Sequence, residues 1–89
     1  MMKLIIAVVH HTDGDETLKA LVEQHYSVTR IASSGGLLRR GNATLLIGLQ
    51  EEQVPAAMQL LREHTGPPVD PGLKRATVFV LNVERFEQV

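Results

Sequence analysis

Leu4-Ile5-Ile6-Ala7-Val8-Val9 is an unbroken apolar run, mostly β-branched, followed at once by the polar stretch His10-His11-Thr12-Asp13-Gly14. A run this short, bounded by a glycine-containing polar segment, reads as a strand, and the lack of polar alternation means that both of its faces are apolar. It is therefore expected to be a central strand. Outward from it, Asp13 or Asp15 can cap a helix whose apolar positions Leu18, Leu21, Val22 and His25 follow the i, i+3, i+4, i+7 spacing of a single buried stripe. That helix is expected to end near Tyr26.

Residues 28–32 (Val-Thr-Arg-Ile-Ala) read as a second strand, and residues 33–42 as a glycine-rich, basic connection. A third strand follows over 43–49. Residues 50–64 are expected to be helical, with Val54, Ala57, Met58 and Leu61 on one face, and Pro55 is tolerable because it falls in the first turn. Residues 65–72 hold three of the four prolines and form a loop. Residues 75–83 then make the last strand, and no element is assigned to the tail 84–89. The order is β-α-β-β-α-β in one domain spanning 1–89, an α+β chain with the ferredoxin-like arrangement: a four-stranded antiparallel sheet with two helices on one face.

Two helices can cover only one face of that sheet, yet the strand segments 4–9, 45–49 and 78–81 are apolar on both faces. If roughly six to nine aliphatic side chains lie on the second face at about 1.5–3 kcal/mol each, gross burial on the order of 10 kcal/mol per chain is left for a partner to supply. A patch of that size exceeds what monomers expose, so the chain is expected to self-associate.

Composition narrows the function. The 89 residues are 44% hydrophobic and 21% charged, with one Tyr, two Phe and no Trp, so the core is aliphatic. The formal net charge is −1 and provides no general field to attract DNA or an anionic membrane. The absence of cysteine excludes disulfides, thiol catalysis and thiolate metal sites, and fits the cytoplasm. The first apolar run is too short for a signal-peptide core, and no stretch approaches the length of a membrane span.

Other activities hosted by this arrangement can be tested residue by residue. A sheet that stacks RNA bases needs aromatics on its third strand, which here reads Ala43-Thr44-Leu45-Leu46-Ile47-Gly48-Leu49. A metal-transfer domain would carry C-x-x-C in the first β-α connection, and an acylphosphatase would carry a glycine-rich, arginine-ended anion loop there. The residues are His10-His11-Thr12-Asp13-Gly14-Asp15. Imidazole and carboxylate side chains suit zinc or manganese, but adjacent residues at a strand end are expected to point to opposite sides, and a solvated turn accounts for the same residues. No nucleophile–base pair or paired acids can be assigned, so an enzyme is not expected and no cofactor is implied.

The informative stretch is Ala32-Ser33-Ser34-Gly35-Gly36-Leu37-Leu38-Arg39-Arg40-Gly41-Asn42-Ala43-Thr44. Two glycines permit backbone N–H groups to converge on an anion, two arginines are bidentate phosphate donors, and the serines and Asn42 add polar groups that can read a base edge.

Together with Lys3-Leu4-Ile5-Ile6-Ala7-Val8-Val9 and Ala76-Thr77-Val78-Phe79-Val80-Leu81-Asn82-Val83-Glu84-Arg85-Phe86, this stretch resembles the PII-like cyclic-di-AMP receptor family over nearly the whole chain. The shared pattern is A-S-x-G-G-x-L-R-x-G-N-x-T, followed near the end by A-T-V-F-V-L-x-V-E-R-F. The resemblance implies a homotrimer of ferredoxin-like subunits, sheets facing inward, with a nucleotide ligand in clefts between neighbours. It matches Thr29, Gly36, Leu38 and Asn42 to positions that contact the ligand, and the expected site comprises Thr29, Gly35, Gly36, Leu37, Leu38 and Asn42, with Arg39 or Arg40 on the ligand's phosphates. The chain departs from the family at Ser27, where an arginine is usual, at Leu37, where a base-packing phenylalanine is usual, and at 65–74, a short proline-rich segment in place of a long loop. Loss of the aromatic at 37 removes stacking of about 1–3 kcal/mol per base.

The expected function is that of a cytoplasmic PII-like signal-transduction protein, a trimer that binds cyclic-di-AMP or an adenine nucleotide and relays it to a regulated protein. No nucleic acid partner and no membrane insertion are expected. The alternative is a trimeric interaction scaffold that has lost nucleotide binding.

Overall fold

The apolar run that opens the chain forms the middle of strand β1, Met2–His10, in a computed structural model that describes residues 1–31, 42–65, 76–85 and 87. The elements that follow are helix α1 (His11–Glu23), strand β2 (Ser27–Ile31), strand β3 (Asn42–Gln50), a 3₁₀ turn (Glu51–Gln53), helix α2 (Val54–His64) and strand β4 (Ala76–Asn82). They form one antiparallel sheet in the order β2-β3-β1-β4. Of the three strands with continuous apolar runs, β1 and β3 are the two central ones and β4 lies at the edge. The expected order of elements and the α+β class hold.

Register separates the faces. Ile5 lies opposite Ile47 and Val80, Ala7 opposite Leu45 and Val78, and Val9 opposite Ala43 and Ala76. These residues share the face that α1 and α2 cover, and Ile5, Ala7, Val9, Leu45 and Ile47 are fully buried there with Leu21 of α1 and Ala57 and Leu61 of α2. The other face carries Leu4, Ile6, Val8, Ile31, Leu46, Phe79 and Leu81. No described helix packs on it. Phe79 is 53% exposed and Leu81 45%. The expected apolar second face is therefore present.

Two local expectations fail, both at the ends of α1. The stretch after β1 is not a turn: β1 runs through His10, and α1 starts at His11 with His10 as its N-cap in place of Asp13 or Asp15. The His10 Nδ1 accepts the Thr12 backbone N–H at 3.3 Å. A direct strand-to-helix junction needs close packing beneath the first helical turn, and Gly14 provides it. A Cβ built on Gly14 would come within 3.0 Å of the Ala43 Cβ and of the Arg30 guanidinium. Glycine at this position is thus a packing residue inside the helix, not a turn signal.

At the other end, α1 stops at Glu23, three residues before Tyr26. His25 adopts φ 67°, the Tyr26 N–H bonds the Leu21 carbonyl at 3.1 Å, and the His25 N–H bonds the Val22 carbonyl at 2.9 Å. This is a Schellman ending with histidine where glycine is usual. His25 is consequently exposed and outside the buried stripe, and Val22 is 53% exposed. The buried positions of α1 are Asp13, Gly14, Thr17 and Leu21. Leu18 also packs against the core, so Leu18 and Leu21 of the expected stripe hold while Val22 and His25 do not, and the rest of the buried stripe is polar or small.

Helix α2 matches its expected face, with Ala57 and Leu61 buried, Val54 and Met58 half-buried, and Pro55 in the first turn. Its start is four residues later than expected, because Gln50 ends β3 and Glu51–Gln53 form the 3₁₀ turn, braced by the Gln50 N–H on the Gln53 side chain at 2.8 Å.

Candidate functional site

Strands β2 and β3 carry the described part of the site. Thr29 sits opposite Leu46, and alternation along β3 puts Leu46, Thr44 and Asn42 on one face, so Thr29 and Asn42 both belong to the open side of the sheet and both are exposed. Four residues of strand separate their rows, about 13 Å at 3.3 Å per residue. That span suits a nucleotide. Gly35, Gly36, Leu37, Leu38, Arg39 and Arg40 lie outside the described residues, as does most of the 65–74 segment.

At the Thr29 end the open face is hollowed into a groove of about 560 Å³, with Leu4, Ser27, Thr29, Leu46 and Gly48 among its walls. The volume falls within the usual range for small-molecule sites. The hollow has a simple origin: Gly48 stands opposite both Leu4 and Ser27, and it places no side chain between them. A Cβ there would meet only the Met2 Cε, at 3.5 Å, an ordinary contact. Packing does not demand glycine at 48. Ser27 lines the groove where the resemblance would put an arginine, leaving that wall short and uncharged.

At the Asn42 end the groove gives way to a polar corner. His10 is the cross-strand partner of Asn42. The ring of His11 lies 4.7 Å from that of His10, tilted by 32°. The two rings therefore come together and do not point to opposite sides, because His10 ends a strand while His11 begins a helix. Among the described residues no cluster of three or more metal-ligating side chains exists. The Thr44 hydroxyl, on a residue 2% exposed, is buried and has no hydrogen-bond partner.

Arg30, on the opposite, helix-covered side of β2, reaches the first turn of α1 and pairs with Asp15. It braces β2 against the helix and stays clear of the open face. Among the described residues no helix is long and apolar enough to cross a membrane.

Sequence reasoning singled out Thr29 and Asn42 but missed Leu4, Leu46, Gly48 and His10 as their neighbours. The apolar residues looked like core, and only the strand register shows that they wall a groove.

Comparison with known proteins agrees with the fold. A family model described as cyclic-di-AMP receptor matches residues 2–67. A crystal structure of a functionally unknown protein from Pediococcus pentosaceus superposes with a TM-score of 0.79 at 30% sequence identity, over 99% of this chain and 97% of that one. A protein of the DUF3240 family from Shewanella baltica superposes with a TM-score of 0.67 at 14% identity, over 99% of this chain and 96% of that one, a likeness of fold alone.

Proposed function

This chain belongs to the cyclic-di-AMP receptor family, and from that premise we propose that it is a PII-like signalling protein that binds cyclic-di-AMP or an adenine nucleotide on the open side of its sheet and relays the bound state to another protein. The observation that carries this reading is the groove at Thr29 on the open side of the sheet, the side that also carries Asn42. In the proposed complex the Thr29 hydroxyl and the Asn42 amide contact the ligand, Gly35, Gly36, Leu37 and Leu38 contribute backbone and packing, and Arg39 or Arg40 meets its phosphates.

The apolar residues of the same face, Leu4, Ile6, Val8, Phe79 and Leu81 among them, are covered in this proposal by two further copies of the chain, a homotrimer in which each groove is closed by a neighbour. Closure by a neighbour gives the ligand its leverage. A nucleotide held between subunits changes how they sit against each other, and a regulated protein in the cytoplasm reads that change. The family is one of receptors, and binding, not turnover, is the proposed activity.

The test is a calorimetric titration of the purified protein with cyclic-di-AMP, ATP, ADP and AMP beside a mass measurement in solution. Heat with one of them and a trimeric mass are expected; a protein silent to all four is not a nucleotide receptor. A thermal-shift panel gives the same answer independently, since ligand at about 100 times its Kd stabilises by roughly 2.7 kcal/mol.

A second reading is favoured by Ser27, which leaves the groove without the arginine expected from the resemblance: a trimeric interaction scaffold without nucleotide binding. An Asn42→Ala variant separates the two. A ligand response that this change weakens supports the receptor, and a response it leaves untouched supports the scaffold.

A further inference from the structure

We propose that His10 and Thr44 are ligand-contacting residues of this site, with His10 presenting its Nε2–H to a hydrogen-bond acceptor of the nucleotide. The inference rests on the nucleotide-binding reading above and deepens it by naming two groups that the sequence patterns did not select.

Position comes first. His10 is paired across the strands with Asn42, and directly opposed residues of an antiparallel pair have Cβ atoms about 4.5–5.5 Å apart on the same face. Thr44 is opposite Val8, two residues before His10, so it is the diagonal neighbour of His10 at about 7 Å. All three residues therefore stand within one small patch of the same face of the sheet.

The ring's protonation is set by its second task. His10 is the N-cap of α1, and its Nδ1 accepts the backbone N–H of Thr12 at 3.3 Å and lies 2.7 Å from the Thr12 hydroxyl. A backbone N–H can only donate, so in this cap Nδ1 is the acceptor and Nε2 is the nitrogen left to donate. Among the described residues nothing accepts from Nε2. The usual capping residues, Ser, Thr, Asp and Asn, satisfy the helix end with side chains too short to place a donor where the histidine Nε2 lies. Histidine satisfies it and leaves a donor in a fixed direction, steadied by the His11 ring beside it. A donor already held in place loses little rotamer freedom on binding.

Thr44 supplies the independent observation. Its hydroxyl is buried without a partner on the same face of the sheet. Buried polar groups are nearly always hydrogen-bonded in folded proteins, and an orphan beside a half-buried histidine and an exposed amide marks a place where a further group belongs.

The two nitrogens of His10 can be tested separately. Asparagine places an acceptor where Nδ1 lies but has nothing at Nε2; glutamine reaches the Nε2 position with an N–H but does not cap. In calorimetric titrations of the full chain with cyclic-di-AMP, ATP and ADP, His10→Asn should keep the wild-type melting temperature and bind roughly tenfold more weakly, the loss of one hydrogen bond to a charged or polar acceptor. His10→Gln should melt lower yet bind within about threefold of wild type, because the ligand contact survives. Thr44→Val should fold at least as well as wild type and bind several-fold more weakly. Wild type that binds while His10→Asn or Thr44→Val matches it overturns this inference alone, as does His10→Gln binding more weakly than His10→Asn. Wild type that binds none of the three nucleotides overturns the receptor reading and this inference with it.

Discussion

Gly14 of α1 and Ala43 of β3 approach so closely that a Cβ on Gly14 would lie 3.0 Å from the Ala43 Cβ. The contact is what allows the chain to pass from strand to helix without a loop, because the first turn of α1 settles directly on the sheet. It also brings the Arg30 guanidinium over Gly14, in reach of Asp15.

Gly14→Ala should therefore destabilise the protein although alanine is the better helix former. The helix gain is at most about 1 kcal/mol, and overpacking against a residue fixed in a central strand costs about 1–3 kcal/mol. A loss of 1 kcal/mol lowers the melting temperature by roughly 4–8 °C in a domain of this size. A variant that melts higher than wild type would show that β3 yields at Ala43.

His25→Gly is expected to do the opposite. The left-handed conformation at φ 67° costs a residue with a Cβ about 1 kcal/mol or more, and glycine adopts it freely. His25 is exposed and its side chain makes no described contact that the change would remove. Chemical denaturation should show a gain of up to about 1 kcal/mol, with an unchanged denaturant slope.

The phase of α1 can be checked with two neighbouring residues of similar chemistry. Leu21 is fully buried against the sheet, so Leu21→Ala should cost about 2–5 kcal/mol. Val22 is 53% exposed, so Val22→Ala should stay within about 0.5 kcal/mol of wild type. Equal losses from the two would return the helix to the phase suggested by hydrophobic spacing.

Gly48→Val should separate binding from folding. Its Cβ has ordinary room beside Met2, and valine favours strands, so the change in stability is expected to stay within about 1 kcal/mol. The side chain projects between Leu4 and Ser27 and fills the groove. Nucleotide binding should fall by at least about tenfold, a loss of 1.4 kcal/mol or more; titration at unchanged affinity would move the ligand elsewhere.

Phe79→Asp addresses the open face. Phe79 is half-exposed in the single chain, so a charge there is solvated and the fold should survive. In an assembly that buries this face the same charge is desolvated without a partner, at a cost of several kcal/mol. Sedimentation should find a monomer with the circular dichroism of the wild type, whereas an intact oligomer would place the interface on another surface.

Sequence and structure divide cleanly at particular residues. The element order, the central positions of the runs around Ile5 and Ile47 and the buried stripe of α2 are all legible in the chain, because strand and helix periods and continuous apolar runs are local properties. So is the surplus of apolar residues that leaves Phe79 and Leu81 uncovered. Thr29 and Asn42 could be singled out as candidate ligand contacts from their place in the motif.

The polar junction at His10 to Gly14 was misread for a physical reason. The same residues make a solvated turn or a first helical turn, depending on whether a partner strand presents a residue as small as Ala43. Likewise, whether Gly48 empties a groove or merely weakens a strand depends on what stands opposite it, and His10 is a cap with a spare donor only because β1 stops where Asn42 begins β3. By itself the sequence determined which elements form and how much apolar surface they carry. Tertiary structure alone decided which residues meet across the strands, because register is a relation between segments far apart in the chain, and the candidate site is built from that relation.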